Sequence, residues 1–514
     1  MPPSLRYSTL LLLCSLSSLG ALAQGGALAH GGASSPLLLQ TSDPALQQTF
    51  DWAKTQALAY VGSGNDPVGD WYEAALPGRN SFCMRDVSHQ TMGAYALGLA
   101  SHNHNMLRKF AQNISASKDW ASYWEIDRQG RPSRDDYQSD ADFWYNLPAN
   151  FDVMSAALRM YRWTGDTTYI DDPVFANFYK HTVSDYPKRW HLEPPSALVR
   201  DRIMNQRTPT GRFVEARGIP SYTEGQKDFV VGVDVLAAEY RALRFAADLA
   251  HSKNHLDEAR KYDLQAMTVQ RFLETKAWNP EKHHFYGFAR NGQDLFGDGD
   301  AFVLYFAATE DPAEIKGALS AIEKRLQAST PGIEEQSYLP EILYRYGASD
   351  EAYSQILDLS RPNRERREYP EVSYSIIGAI VTGLMGIDVA SSLQRTDSRA
   401  PAGQTVISTR PQLSGKTQWV ELDHLPVRTN VINLRHDGSE MSSLTNVSGP
   451  ALLWQPRLSG HFDYLMVNGH RVAAIATNDD QHHPMTTISV LVKPKSRMVV
   501  SEIASRAAPD SMAH

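Results

Sequence analysis

The chain has 514 residues, 42% hydrophobic and 21% charged, a balance that suits a soluble globular protein with a large core and room for two domains. Its formal net charge of -8 argues against a nucleic-acid partner, which would need a basic face.

The first residues, "MPPSLRYSTLLLLCSLSSLGALAQ", put one arginine before an apolar run and small residues at a cleavage point after Ala23. This is the pattern of a secretory signal over 1–23, and its apolar run is short for a membrane span. A secreted or periplasmic protein without stable membrane insertion is expected, with 24–41 as an N-terminal extension. Cys14 falls in the signal, which leaves Cys83 alone in the mature chain and no intramolecular disulfide.

From 42 to 390 the apolar spacing is helical. "SDPALQQTFDWAKTQALAY" opens with a Ser/Asp cap and Pro44, then aligns Leu46, Phe50, Ala53 and Ala57 on one face. "FVVGVDVLAAEYRALRFAADLA" aligns Val231, Val235, Ala238, Phe245 and Leu249, and its other faces are apolar too, as in a helix enclosed by neighbours. Twelve such segments begin near 43, 85, 103, 149, 167, 228, 255, 300, 312, 337, 349 and 371. Very short turns alternate with long loops, which predicts six helical hairpins closed into an (α/α)6 barrel. The stretch 391–405 reads as a linker, and 406–503 as a small all-β domain of short strands with "VNGHR" as a hairpin turn. A frayed tail is expected over 504–514.

Loops this long inside a compact domain are usually functional. Those before the second helix of each hairpin collect the reactive residues. The first holds Trp71, Tyr72, Arg79, Arg85, Asp86 and His89; the second holds Asp140, Asp142, Trp144, Tyr145 and Asn146. The third holds Glu215, Tyr222, Glu224 and Asp228, and the fourth is "NGQDLFGDGD". The fifth holds Glu334, Glu335, Tyr338 and Glu341, and the sixth Arg367, Glu368, Tyr369 and Glu371. Carboxylates facing aromatics around one mouth are what glycoside hydrolysis needs. One protonated carboxyl supplies the departing oxygen, and a second activates water or attacks carbon. Any single acidic residue before a helix also reads as an N-cap or dipole partner. The recurrence of aromatics and arginines beside the carboxylates favours a site.

With "RD" before the second helix and "REYPEVSYSIIGAIVTGLMGID" as the last barrel helix, the chain resembles the six-hairpin, glucoamylase-like glycosidase superfamily, in its bacterial form with a C-terminal β-domain. The resemblance covers about 43–388. It implies an Arg-Asp pair that grips the terminal sugar, matched by Arg85 and Asp86. It also implies a general acid before the sixth helix, matched by Glu224 with Asp228 as rival. The implied base lies before the twelfth helix, matched by Glu371 with Glu368 as rival, and the implied outcome is inversion. The surrounding starch-enzyme text is absent. "RERRE" at 364–368 reads as a solvated charged loop, or as a source of Arg366 or Arg367 for a uronic carboxylate. With Arg79 and Arg85 it ranks acidic sugars such as glucuronate above neutral ones.

The expected function is therefore exo-hydrolysis of a terminal sugar from an oligo- or polysaccharide. One alternative is a polysaccharide lyase acting by β-elimination, with Tyr72, His89, Tyr145 or Tyr222 as base. Another is a non-catalytic carbohydrate-binding protein. Cys83 with His89 as a nucleophile pair lacks an orienting partner, and buried packing is the default for a free cysteine. The pairs His283-His284 and His482-His483 cannot easily face one ion, and "DGD" at 298–300 lacks the closing glutamate of a calcium loop. No cofactor or metal is expected, since no phosphate-binding or dinucleotide motif appears either.

Overall fold

The computed structural model describes residues 33–194, 196–198, 213, 217–226, 228–290, 294–390, 404–479 and 483–502. The expected signal, most of the linker, the tail and Glu215 lie outside the described residues.

Among the described residues, twelve helices frame the first part of the chain, beside two short ones, Thr168–Asp171 and Asp185–Trp190. The twelve are α1 (Pro44–Ala59), α2 (Met84–Ala96), α3 (Ala100–Gln112), α4 (Pro148–Thr164), α5 (Pro173–Thr182) and α6 (Val233–Ser252). They continue as α7 (Leu256–Phe272), α8 (Asp300–Tyr305), α9 (Pro312–Ala328), α10 (Ile333–Arg345), α11 (Ser349–Leu359) and α12 (Pro370–Ala379). The odd helices bury one face: α1 buries Leu46, Thr49, Phe50, Ala53 and Ala57, and α7 only Ala259, Ala266 and Val269. The even ones are enclosed. Every residue of α12 is buried, and in α2 Arg85 alone is not.

Among the described residues the even helices pack in succession, α2 on α4, α4 on α6, α6 on α8, α8 on α10 and α10 on α12, and α12 packs back on α2. The odd helices lie against the outside of that closed ring, α1 on α12, α3 on α2 and α4, α7 on α6, α9 on α8, and α11 on α10. Three outer helices start with the same chemistry. Asp43, Asp172 and Asp311 each precede a proline, and each carboxylate accepts from a first-turn N–H, as at Ala45 (3.0 Å), Val174 (2.8 Å) and Ala313 (2.7 Å). The sixth helix starts at Val233 rather than near 228, because Val231–Gly232 is drawn into a strand pair with Phe288–Arg290. Small strand pairs of this kind stiffen the long loops, where the helical spacing gave no strand signal. No helix among the described residues is long and apolar enough to cross a membrane.

Two sheets follow. The larger has the order Leu38–Thr41, Trp419–Val427, Asn430–Asp437, Met441–Ser448, Ser496–Ser501, Tyr464–Val467 and His470–Ala473. The expected hairpin is there: Asn468 and Gly469 both take positive φ, 47° and 81°, as a two-residue turn between twisted strands requires. Leu38–Thr41, read as part of an extension, pairs antiparallel with the strand containing Val420 and Asp423. The second sheet runs Asp388–Val389, Val406–Thr409, Leu452–Ser459, Pro484–Thr487 and Ile475–Asn478. The sheet region meets the C-terminal ends of the inner helices through polar caps. Arg428 donates from its backbone to the Trp163 carbonyl (2.8 Å) and from Nε to that of Arg162 (3.1 Å). Gln412 Nε2 donates to the Gly383 carbonyl (2.8 Å), and His436 Nε2 lies 3.1 Å from that of Met385. These carbonyls are the ones a helix end leaves without partners.

Candidate active site

The opposite, N-terminal ends of the inner helices bring the predicted residues together. Strand Ser81–Cys83 pairs with Glu125–Asp127 and hands the chain to α2, so Arg85 and Asp86 fall in its first turn. Glu334 and Glu371 occupy the first turns of α10 and α12, where unpaired N–H groups favour negative charge. Arg85 Nη2 lies 3.3 Å from Glu334 Oε2, and Arg366 Nη2 lies 2.9 Å from the other oxygen of the same carboxylate. The Arg85 guanidinium also stands 5.6 Å from the centre of the Tyr222 ring. From the second loop, Asn146 Nδ2 donates to Glu224 Oε1 at 3.1 Å.

Behind this first layer the rings close ranks. His89 stacks on Tyr338 with centroids 3.8 Å apart, and Tyr338 meets Phe302 and Tyr305 edge-on. Tyr222 donates its hydroxyl to Asp152 Oδ2 (2.9 Å), a buried carboxyl in α4. Arg159 and Arg345 both pair with Glu341, at 3.3 and 2.7 Å.

The electrostatics set these acids apart. Glu371 is 1% exposed, and burial, then the charges of Asp86 and Glu334, push its carboxyl well above the usual range despite nearby Arg85. Asp86 is also raised by burial, with Arg85 opposing, and the charge of each carboxyl disfavours ionisation of the other. Glu224 presents surface to the mouth while protein surrounds its carboxyl on the other sides. Lost solvation raises it, against Arg85 and the Asn146 hydrogen bond, with Glu334 and Asp86 adding to the rise. Asp136 is pushed up to about 7, chiefly by burial and then by Glu125, with Glu224 among its negative neighbours. Asp152 is pushed up to about 7 by burial. His89 is pushed down to about 4 by burial and is a neutral ring at ordinary pH.

Several sequence expectations are corrected here. Tyr72 and Tyr145 are fully buried: Tyr72 donates to Asn103 Oδ1 (2.7 Å) and packs on Tyr374, and Tyr145 bonds Asn150, so neither ring face is open to a sugar or a substrate proton. Trp71 is buried as well, with Nε1 on Asp66 (2.8 Å) and its ring on Phe82. Arg367 turns away from the mouth, pairing with Glu368 (3.0 Å) and lying 4.8 Å over Trp52 of α1; Arg366 is the arginine that reaches Glu334. Arg79 gathers Glu125, Asp136 and Asp135 at 3.1, 3.2 and 3.4 Å. Asp142 accepts the Phe213 N–H, and Trp144 packs edge-on to Phe213. Asp228 is exposed with a left-handed backbone, φ 59°. Cys83 is buried, and burial pushes its thiol well above the ordinary value, which removes a thiolate nucleophile.

Asp136 and Asp152 were not singled out for the mouth, whereas Arg366 was named there as the alternative to Arg367. Asp152 had a readable signal, a lone carboxyl inside the apolar run "ANFDVMSAALRM". Among the described residues, those nearest to a metal-ligand arrangement are His284, Asp298 and Asp300, whose ligand atoms lie within 4.8 Å of one another. Arg325 stands 3.9 Å from Asp298 and already supplies positive charge there.

No family model matches the chain, and no curated protein matches it by sequence. Among solved structures the fold is shared with glycoside hydrolases. An α-L-rhamnosidase from Dictyoglumus thermophilum matches with a TM-score of 0.61 and 11% identity, over 92% of this chain and 51% of that one. The GH78 family rhamnosidase of Bacillus sp. GL1 matches at 0.55 and 12%, over 82% of this chain and 41% of the other. An α-L-rhamnosidase from Aspergillus terreus matches at 0.53 and 13%, over 91% and 51%. The chain spans about half the length of these enzymes or less, and identities this low speak to fold alone.

Proposed function

We propose that the protein is an exported, exo-acting glycoside hydrolase whose closed helical ring is an (α/α)6 toroid of the six-hairpin type. The observation that carries this reading is the convergence of Arg85, Asp86, Glu224, Glu334 and Glu371 from four separate loops on one mouth, with three of the carboxyls raised. Glu224, open to the mouth and raised, serves as general acid. Glu371 serves as base on the opposite side, and the outcome is inversion. Its oxygens have no open surface as the mouth stands, so sugar entry has to rearrange this end of the ring.

The preferred substrate is a terminal uronic acid. Arg85 and Arg366 already clasp a carboxylate, that of Glu334, from both sides. A uronate that displaces Glu334 gains two charge-assisted contacts. The three rhamnosidases that share the fold make an α-L-rhamnoside the competing substrate.

A panel of aryl glycosides, glucuronides and α-L-rhamnosides included, tests the class; turnover of the rhamnoside without the glucuronide sinks the uronate reading. Glu224→Gln and Glu371→Gln should each lower kcat roughly a hundredfold or more on oligosaccharides. Glu224→Gln alone should recover on substrates with an acidic leaving group, which need no proton. Near-normal rates in both variants would overturn the assignment, and an unsaturated product absorbing in the ultraviolet would show elimination instead.

A further inference from the structure

At the far end of the ring from Arg85 and Glu371, the C-terminal halves of the inner helices and the sheet region enclose a cavity of about 380 Å³. This is within the usual range for small-molecule pockets. Six arginines line it, Arg159, Arg162, Arg241, Arg345, Arg410 and Arg457, against four carboxyls. Arginines at helix C-termini have an ordinary purpose, to cap carbonyls and offset the helix dipole. Some of these do that: Arg345 Nη1 donates to the Leu304 carbonyl (3.2 Å), and Arg162 to that of Val389.

The carboxyls are also accounted for. Glu341 takes Arg159 and Arg345, Asp388 takes Arg162, and Asp479 takes Arg410 at 2.9 Å. Asp152 accepts the Tyr222 hydroxyl and holds its own proton up to about 7. Two cations are left over. Arg241, in the middle of α6, has no carboxylate within 4.0 Å among the described residues; its guanidinium lies 4.6 Å from the Phe245 ring, another wall of the cavity. Arg457, exposed on the strand Leu452–Ser459, likewise has no carboxylate in that range. Burial, and then Arg345 and Arg159 close by, push the Arg241 guanidinium down to about 10.

We propose that this cavity is a binding site for a compact oxyanion, a phosphate, sulfate or carboxylate, with Arg241 as its main ligand and Arg457 meeting it from the sheet side. Guanidinium forks match the paired oxygens of all three anions. The aromatic walls, Trp163, Phe245, Tyr305 and Tyr344 among them, suit an organic body on the anion, so a sugar phosphate or free uronate is a natural occupant.

The test uses the full chain and a catalytically unrelated readout, the melting temperature. Inorganic phosphate, sulfate, acetate and glucose phosphate are titrated against chloride at constant ionic strength. A saturable rise with the oxyanions and none with chloride is expected, and Arg241→Gln should weaken the apparent affinity about tenfold. A larger response to glucose phosphate than to inorganic phosphate assigns an organic ligand, and equal responses assign the bare anion. Should Arg241→Gln not fold, Arg457→Gln, on an exposed side chain, carries the same expectation. A response shared with chloride, or unchanged in the variants that fold, overturns the proposal.

Discussion

Asp152 shows how far a single carboxyl in this ring departs from solution behaviour. The unfolded chain releases its proton near 3.8, the folded chain only at about 7. Between those values the folded state holds the extra proton, so this stability is complete below pH 4 and is lost as pH rises toward 7. His89 acts oppositely: its folded value of about 4 means stability present above 6.5 and lost as pH falls toward 4. Asp152→Asn should therefore flatten the decline between pH 4 and 7, by up to about 4 kcal/mol, in denaturant titrations compared at pH 4 and 8. An unchanged profile would place that slope on other groups. At the mouth, Glu334→Gln should loosen the clasp of Arg85 and Arg366 and lower KM for a glucuronide more than for its neutral glucoside. Equal shifts for both would argue against uronate recognition. Residue roles at this scale were most legible where a first helical turn fixed direction, as for Arg85 and Glu371. Tyr72 and Tyr145 stand in equally suggestive loops, but composition does not say that their rings point into the core.

The element that closes the ring is the seam between α2 and α12. Gly93 makes it: a Cβ there would collide with the Tyr374 carbonyl, its carbon only 2.7 Å away. Backbone meets backbone at this point, and Gly378 approaches the Gly93 nitrogen from the other side. Gly93→Ala should cost about 1–3 kcal/mol through overpacking, read as a lower midpoint with unchanged m-value. A neutral effect would show that the seam can widen freely. Periodicity placed all twelve of these helix starts within six residues of their observed positions, because enclosed and half-buried helices carry different apolar patterns. It missed the short strands Leu38–Thr41 and Ser496–Ser501, whose pairing partners lie elsewhere in the chain and leave no local trace.

At the scale of the molecule, the buried side chains form one cluster that runs from the ring into both sheets. The sheet region also supplies the caps for the inner helices through Arg428, Gln412 and His436. Residues 44–390 produced alone should consequently lose the cooperative melting of the whole chain and become protease-sensitive, by calorimetry and limited digestion. A sharp transition at the full-length temperature would make the two regions independent.

The strand Leu38–Thr41 gives this dependence a direction in time. It leaves the ribosome some 380 residues before its partners, residues 420–423, are made. Until then it is a bare apolar edge, open to pairing with another chain. The helical ring can form as it emerges, but this strand stays unpaired until the sheet region has been made. Anything that stalls translation within the sheet region thus leaves a strand exposed some 380 residues upstream.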